Sequence, residues 1–217
     1  MLRQDAQSGI LWNATLLRRY VSQGFYDEFP IIRITGFADI RVVHGTELIE
    51  TISSCYDRSG IDNCIVICRS NKRTLLYNNG IRNRILYREE LLESGDILMV
   101  AKNNYFWTEA HSNIEFIANG DVALVLRVRH ERELYGFHFA DVTLRFPDYN
   151  DCELDATLLL DALQSESPAL TTPMNQALYE RILVDYADIT PRREQMKKLK
   201  ADPYYNALQV KYGYAVT

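Results

Sequence analysis

No stretch of this sequence approaches the roughly 18 consecutive apolar residues of a membrane-crossing helix. The opening residues Met1–Gly9 are polar and lead into no apolar run, so no secretory signal is expected and the expected compartment is the cytoplasm, with no membrane partner. Cysteine is scarce, with four residues (Cys55, Cys64, Cys68 and Cys152) in 217. They form no closely spaced ligand pairs, which argues against a zinc site, and no disulfide framework; Cys64 and Cys68 fall on one side of an apolar run and read as reduced core thiols. A glycine-rich phosphate loop is missing, as is any Ser, His and Asp grouping set in a recognisable motif, so no complete catalytic site is expected. His130 and His138 could approach each other across a hairpin but lack a third ligand, His44 and His111 carry no pattern, and no metal site is expected. Basic charge is also in deficit: 24 Lys and Arg against 29 Asp and Glu leave a net charge of −5. Any nucleic-acid surface must therefore be a local patch on an acidic body.

What is present is an ordinary globular composition, 47% hydrophobic and 24% charged, long enough to bury a core as one large domain or two small ones. Ile10, Ala14, Leu17 and Val21 lie on one helical stripe that Ser8 can cap and Gly24 can end. Ile31–Ile34 and Ile40–Val43 read as short strands, and Thr46 caps a second helix that turns Leu48, Ile52 and Cys55 inward. The unbroken apolar run Cys64-Ile65-Val66-Ile67-Cys68 predicts a strand covered on both faces, as in a parallel sheet. A helix follows from about Asn71 to Arg84, and helix, buried strand, helix is an α/β pattern.

After Gly95-Asp96 the texture becomes that of a small antiparallel barrel. Ile97–Ala101, Ile114–Ala118, Val122–Arg129 and Phe137–Phe146 read as strands, with Asn119-Gly120 as the hairpin turn joining the second to the third. In Val122–Arg129 the apolar set is Val122, Leu124, Leu126 and Val128. In Phe137–Phe146 the apolar phase slips from odd to even, which predicts a bulge near Ala140–Asp141. Helices are expected at 155–164, 173–186 and 190–201, the last with Thr190 as cap and Pro191 at its start. Leu208–Lys211 and Tyr214–Thr217 close the chain as strands, an ending that suggests a piece of a longer α/β protein. The expected division is 1–94, 95–150 as the inserted barrel, and 151–217 returning to the first domain.

The charge map offers one candidate surface. Residues 69–88 hold six basic side chains (Arg69, Lys72, Arg73, Arg82, Arg84, Arg88) and no acid, whereas residues 146–180 hold seven acids and no base. The basic stretch starts where a strand ends and a helix begins, at Ser70-Asn71, which is where open α/β sheets place ligands and where free backbone N–H groups meet phosphate. A solvated basic helix is the alternative. The acidic cluster at 148–166 reads as solvated surface.

Three stretches resemble the RecD-like (exonuclease V alpha-subunit type) branch of superfamily-one DNA helicases. Leu2-Arg3-Gln4 before a helix resembles motif IV. Ile67-Cys68-Arg69-Ser70-Asn71-Lys72-Arg73 with Tyr77-Asn78 resembles the strand-to-helix segment that follows it. Gly95-Asp96 through Met99, then Lys102-Asn103-Asn104-Tyr105 and Asn119-Gly120-Asp121, resembles the start of the SH3-like insertion in the second motor domain. Besides these three, Tyr214-Ala215-Val216-Thr217 at the chain's end resembles the strand that leads into motif V.

The resemblance implies a partial RecA-like parallel sheet with helices and an inserted SH3-like barrel. It further implies a parent that is an ATP-dependent 5′–3′ DNA helicase of the exodeoxyribonuclease V and DNA-repair type. In it Arg3 reaches the γ-phosphate and, with Gln4, belongs to the ATP site, while Ser70, Asn71, Lys72 and Arg73, joined by Lys102, Asn103 and Asn104, contact single-stranded DNA. ATP and magnesium are expected in the intact parent, whose first motor domain is the implied partner; none is expected to be held by this chain, which should be inactive alone. Phe106 and Trp107 are candidates for base stacking or for packing in the barrel. The alternative reading is a non-enzymatic protein-interaction module built on an SH3-like barrel.

Overall fold

The computed structural model describes residues 8–25, 27, 29–108 and 114–217. They fall into two units, Met1–Cys55 and Tyr56–Thr217.

In the first unit, Ser8 caps helix α1 (Gly9–Gln23) by accepting from Leu11 N, and Gly24 closes it in the left-handed conformation. The Asp39 carboxylate strengthens that start, accepting from Ser8 Oγ at 2.6 Å and from the amides of Gly9 and Ile10. These bonds, led by that of Ser8, hold its pKa below the usual carboxylate range. Asn13 ties the helix to the extended chain by exchanging hydrogen bonds with Arg33 N and O. On the helical stripe Ile10, Leu17 and Val21 are exposed, and the strands expected at 31–34 and 40–43 are irregular. Helix α2 (Leu48–Ser59) runs across the boundary between the units. Its approach is a single 3₁₀ turn, Gly45–Glu47, with His44 at the cap in place of Thr46.

The second unit is mixed α/β. Strand β1 (Val66–Ile67) pairs in parallel with β7 (Ala215–Val216), and among the described residues this sheet has two strands. Complete coverage of the apolar run is overturned: Ile65 and Ile67 are 62% and 76% exposed. The four cysteines are half-buried rather than core. Helix α3 (Asn71–Arg84) follows β1 and packs against β7.

The rest of the unit is a closed five-stranded barrel, β2 (Ile97–Val100), β3 (Val122–Leu134), β4 (Phe137–Phe146), β5 (Cys152–Leu159) and β6 (Leu208–Tyr212). All neighbours are antiparallel except β5 and β6, joined in parallel through helices α4 (Thr172–Val184) and α5 (Arg192–Lys200). The stretch expected as a helix from 155 is mostly β5. Leu154, Ala156 and Leu158 are buried on one face, while Leu159 on the other enters a second core with Phe137, Phe139, Leu178, Ile182 and Leu199 under the helices. With both faces covered, period-two alternation disappears.

That second core also accounts for the phase slip in β4. Phe137 and Phe139 pack under the helices, whereas Val142, Leu144 and Phe146 share a face with the barrel interior. The irregularity sits opposite Asp141 but on β3, where Arg129 and His130 lie between the Val128–Val142 and Glu131–Ala140 pairs. β3 buries Ala123 and Val125 rather than its larger even-numbered residues, because bulk from Leu98, Leu144 and Phe146 leaves little room in a small barrel.

The two-residue hairpin turn is Tyr135-Gly136, both with positive φ, between β3 and β4. Asn119-Gly120 is a turn as expected, with Asp121 N donating to Ala118 O at 3.1 Å, but it joins no hairpin, since 114–118 forms a single bridge instead of a strand. Gly120 N donates to Val100 O, and Asn104 bridges Ile117 beyond it. Gly120 has φ +98°, which its lack of a Cβ permits.

Candidate nucleic-acid interface

β1 and β7 run side by side and end together, so both strands deliver their C-terminal ends to the start of α3. Ser70 caps this start, its Oγ accepting from Arg73 N at 3.4 Å and its carbonyl from Thr74 N. Thr217 Oγ1 donates to Asn71 Oδ1 at 3.4 Å, linking the end of β7 to the first turn. Asn71, Lys72 and Arg73 are exposed there, and Lys72, at 70% exposure, makes a loose 3.8 Å pair with Glu166. The exposed first turn and its two cations thus stand beside a parallel strand pair, the arrangement in which backbone dipoles and side-chain charge favour an anion together.

The basic stretch is smaller than its count suggests. Arg82 is 4% exposed, its guanidinium forked onto Asp96 at 2.9 and 3.0 Å and lying 4.5 Å from the Tyr212 ring centre. Arg88 shares the same carboxylate at 3.2 Å. These two arginines anchor α3 and the loop after it to the barrel entrance, leaving Arg69, Lys72, Arg73 and Arg84 to face solvent. The buried face of α3 carries Thr74, Asn78 and Arg82 at a spacing of four, each satisfied by a named acceptor. Asn78 donates to Tyr212 O and Ala215 O and accepts from Ala215 N, fixing α3 to both β6 and β7.

Lys102, Asn103 and Asn104 line a pocket of about 440 Å³ together with Asn175, Gln176, Tyr179 and Tyr205. Asn104 is fully engaged in the fold: its amide donates to Asn206 O and its carbonyl oxygen accepts from Phe106 N and Trp107 N. Asn103 Oδ1 accepts from Asn119 N, and Lys102 is exposed. Trp107 donates its indole N–H to Asn206 O, so it packs and pins the loop. Arg3 and Gln4 lie outside the described residues, as does His111. His130 and His138 are not cross-strand partners; His138 pairs with Glu133 across the hairpin and meets Asp161 at 3.3 Å. Among the described residues no three His, Cys, Asp or Glu side chains come together as a metal site.

Neither the models of known protein families nor the curated proteins match this chain. Among the described residues no helix is long and apolar enough to cross a membrane.

Sequence reading missed Lys211. It stands on the outer face of β6 and donates to Ala162 O at 2.5 Å and Ser165 O at 2.6 Å, and burial lowers its pKa from 10.5 to about 8. It lines a pocket of about 470 Å³ that also includes Asn71, Thr74, Met99, Asn119 and Thr217. The available signal was a cation one position out of phase with Leu208, Val210 and Tyr212, whose alternation marks the other face as core.

Proposed function

We propose that this chain grips single-stranded DNA at the Ser70–Arg73 corner, as part of the second motor domain of a RecD-like ATP-dependent DNA helicase. The observation that carries the reading is the convergence of β1, β7 and the capped start of α3, with Asn71, Lys72 and Arg73 exposed at the point where the strands end. Polar donors and mobile cations at such a point hold a phosphate backbone without regard to base sequence, which is what a translocating motor requires. On this reading the β1/β7 pair belongs to a RecA-like sheet and the barrel is its SH3-like insertion. Arg3 and Gln4 take the ATP-side roles that the resemblance implies, and ATP and magnesium belong to the intact parent. Lys102 and Asn103 extend the contact along the barrel, while Asn104 serves the loop's structure.

Fluorescence anisotropy with a labelled oligothymidylate at low salt tests the reading. The unaltered chain should bind weakly, and the charge reversals K72E and R73E together should abolish detectable binding. Equal binding by the double variant refutes the corner assignment, and no binding by the unaltered chain favours the barrel as a protein-docking module.

A further inference from the structure

Lys211 reaches the outside of the barrel because Leu208, Val210 and Tyr212 occupy its inside. An ammonium group has three N–H donors. Two are taken by the carbonyls of Ala162 and Ser165, and no carboxylate of the described residues lies within 4.0 Å of Nζ. A half-buried cation compensated by carbonyl dipoles alone is held at a cost, visible in its lowered pKa. An anion brought from outside would relieve that cost and take the third donor.

The cavity around it is larger than a phosphate alone needs, at about 470 Å³, and its walls differ in character. Met99, Leu163 and Pro168 contribute apolar lining, while Asn71, Asn119 and Thr217 supply amides and a hydroxyl. Asn71 also belongs to the first turn of α3, so the pocket continues directly from the Ser70–Arg73 corner.

We propose that this pocket holds one nucleotide unit of the bound single strand, with a phosphate oxygen on Lys211 Nζ and the base against Met99, Leu163 and Pro168. The proposal rests on the strand-binding reading above and names the unit that the site takes. An apolar wall accepts any base by its face, and amides carry both donor and acceptor, so the pocket suits a sequence-tolerant grip.

The test compares the unaltered chain, K211M and the K72E/R73E double variant in anisotropy titrations. The probes are an oligothymidylate and an abasic strand of the same length, with dTMP and inorganic phosphate as competitors. Loss of one phosphate contact should weaken K211M binding to the oligothymidylate about fivefold, a change of roughly 1 kcal/mol. Loss of base packing should weaken abasic binding to the unaltered chain by about the same factor. If K211M binds as the unaltered chain does while K72E/R73E loses the strand, the pocket assignment fails and the corner reading survives. Absence of binding by the unaltered chain overturns both. Displacement of the strand by dTMP or phosphate at equal phosphate concentration reassigns the pocket to a free phosphate ligand and overturns the proposal. Amide NMR of the unaltered chain gives an answer independent of variant folding. The Met99, Gly120 and Lys211 resonances should shift on strand addition, and unshifted resonances contradict the proposal.

Discussion

Arg82 and Asp96 meet as a two-pronged ion pair, at 2.9 and 3.0 Å, with side chains 4% and 0% exposed. Tyr214 Oη donates to the same carboxylate at 2.7 Å, and Glu93 N at 2.8 Å, so the charge is satisfied from several sides. Removing one partner strands the other in a dry site. R82M should therefore destabilise the fold by about 3–5 kcal/mol, the usual cost of a broken buried pair. Urea unfolding measures it, and a loss below 1 kcal/mol would mean that water reaches Asp96. Direct effects on strand binding should be small, because this arginine does not face the proposed site.

Asn78 makes three hydrogen bonds to the backbone of β6 and β7 from a buried position. N78A leaves two carbonyls and one amide without that partner, at roughly 1–3 kcal/mol for each group that stays unsatisfied. The local consequence should be faster hydrogen exchange at Ala215, whose amide donates to Asn78 Oδ1. Unchanged exchange there would show that this amide does not depend on the side chain.

Lys211 gives a pH signature. Its pKa falls from 10.5 to about 8 because burial disfavours the ammonium. Between those values the unfolded chain holds the extra proton, so this group makes stability rise with pH across that interval, and the penalty is present in full below it. K211M removes the penalty. The melting temperature of K211M minus that of the unaltered chain should therefore be nearly level below about pH 8 and decrease from there to pH 9.5. Tyr212, whose phenol burial raises to about 12, acts in the opposite sense above pH 10, but it is common to both proteins and cancels in the difference. Parallel curves would contradict the assignment of a depressed lysine.

Sequence alone located α1, α3, β2 and β4 within a residue or so, because each carries a local signal: Ser8 and Ser70 cap, Gly24 stops, and Phe137–Phe146 is rich in strand formers. It failed where tertiary packing erased the local pattern. β5 reads helical because Leu158, Leu159 and Leu160 are all buried, on faces that a lone strand would not cover together. The Tyr135-Gly136 turn was hidden because tyrosine is a poor advertisement for positive φ. At the candidate site the Ser70–Arg73 corner was legible as charge beside a cap. Burial of Arg82 was not, since its partner Asp96 lies beyond the helix. For Lys211 the alternation of β6 showed the side chain facing outward, but not its partners, because the carbonyls that hold it come from residues 162 and 165, brought to β6 by the parallel crossover.

The central claim is that the cations at the start of α3 neutralise phosphates of a single strand. The salt dependence of oligothymidylate binding tests it most directly, because each phosphate neutralised contributes about 0.7 to the slope of log K against log salt. If Lys72 and Arg73 each contact one phosphate, replacing both with neutral glutamine should weaken binding and flatten the slope by about 1.4. A double variant whose slope matches that of the unaltered chain would contradict the account.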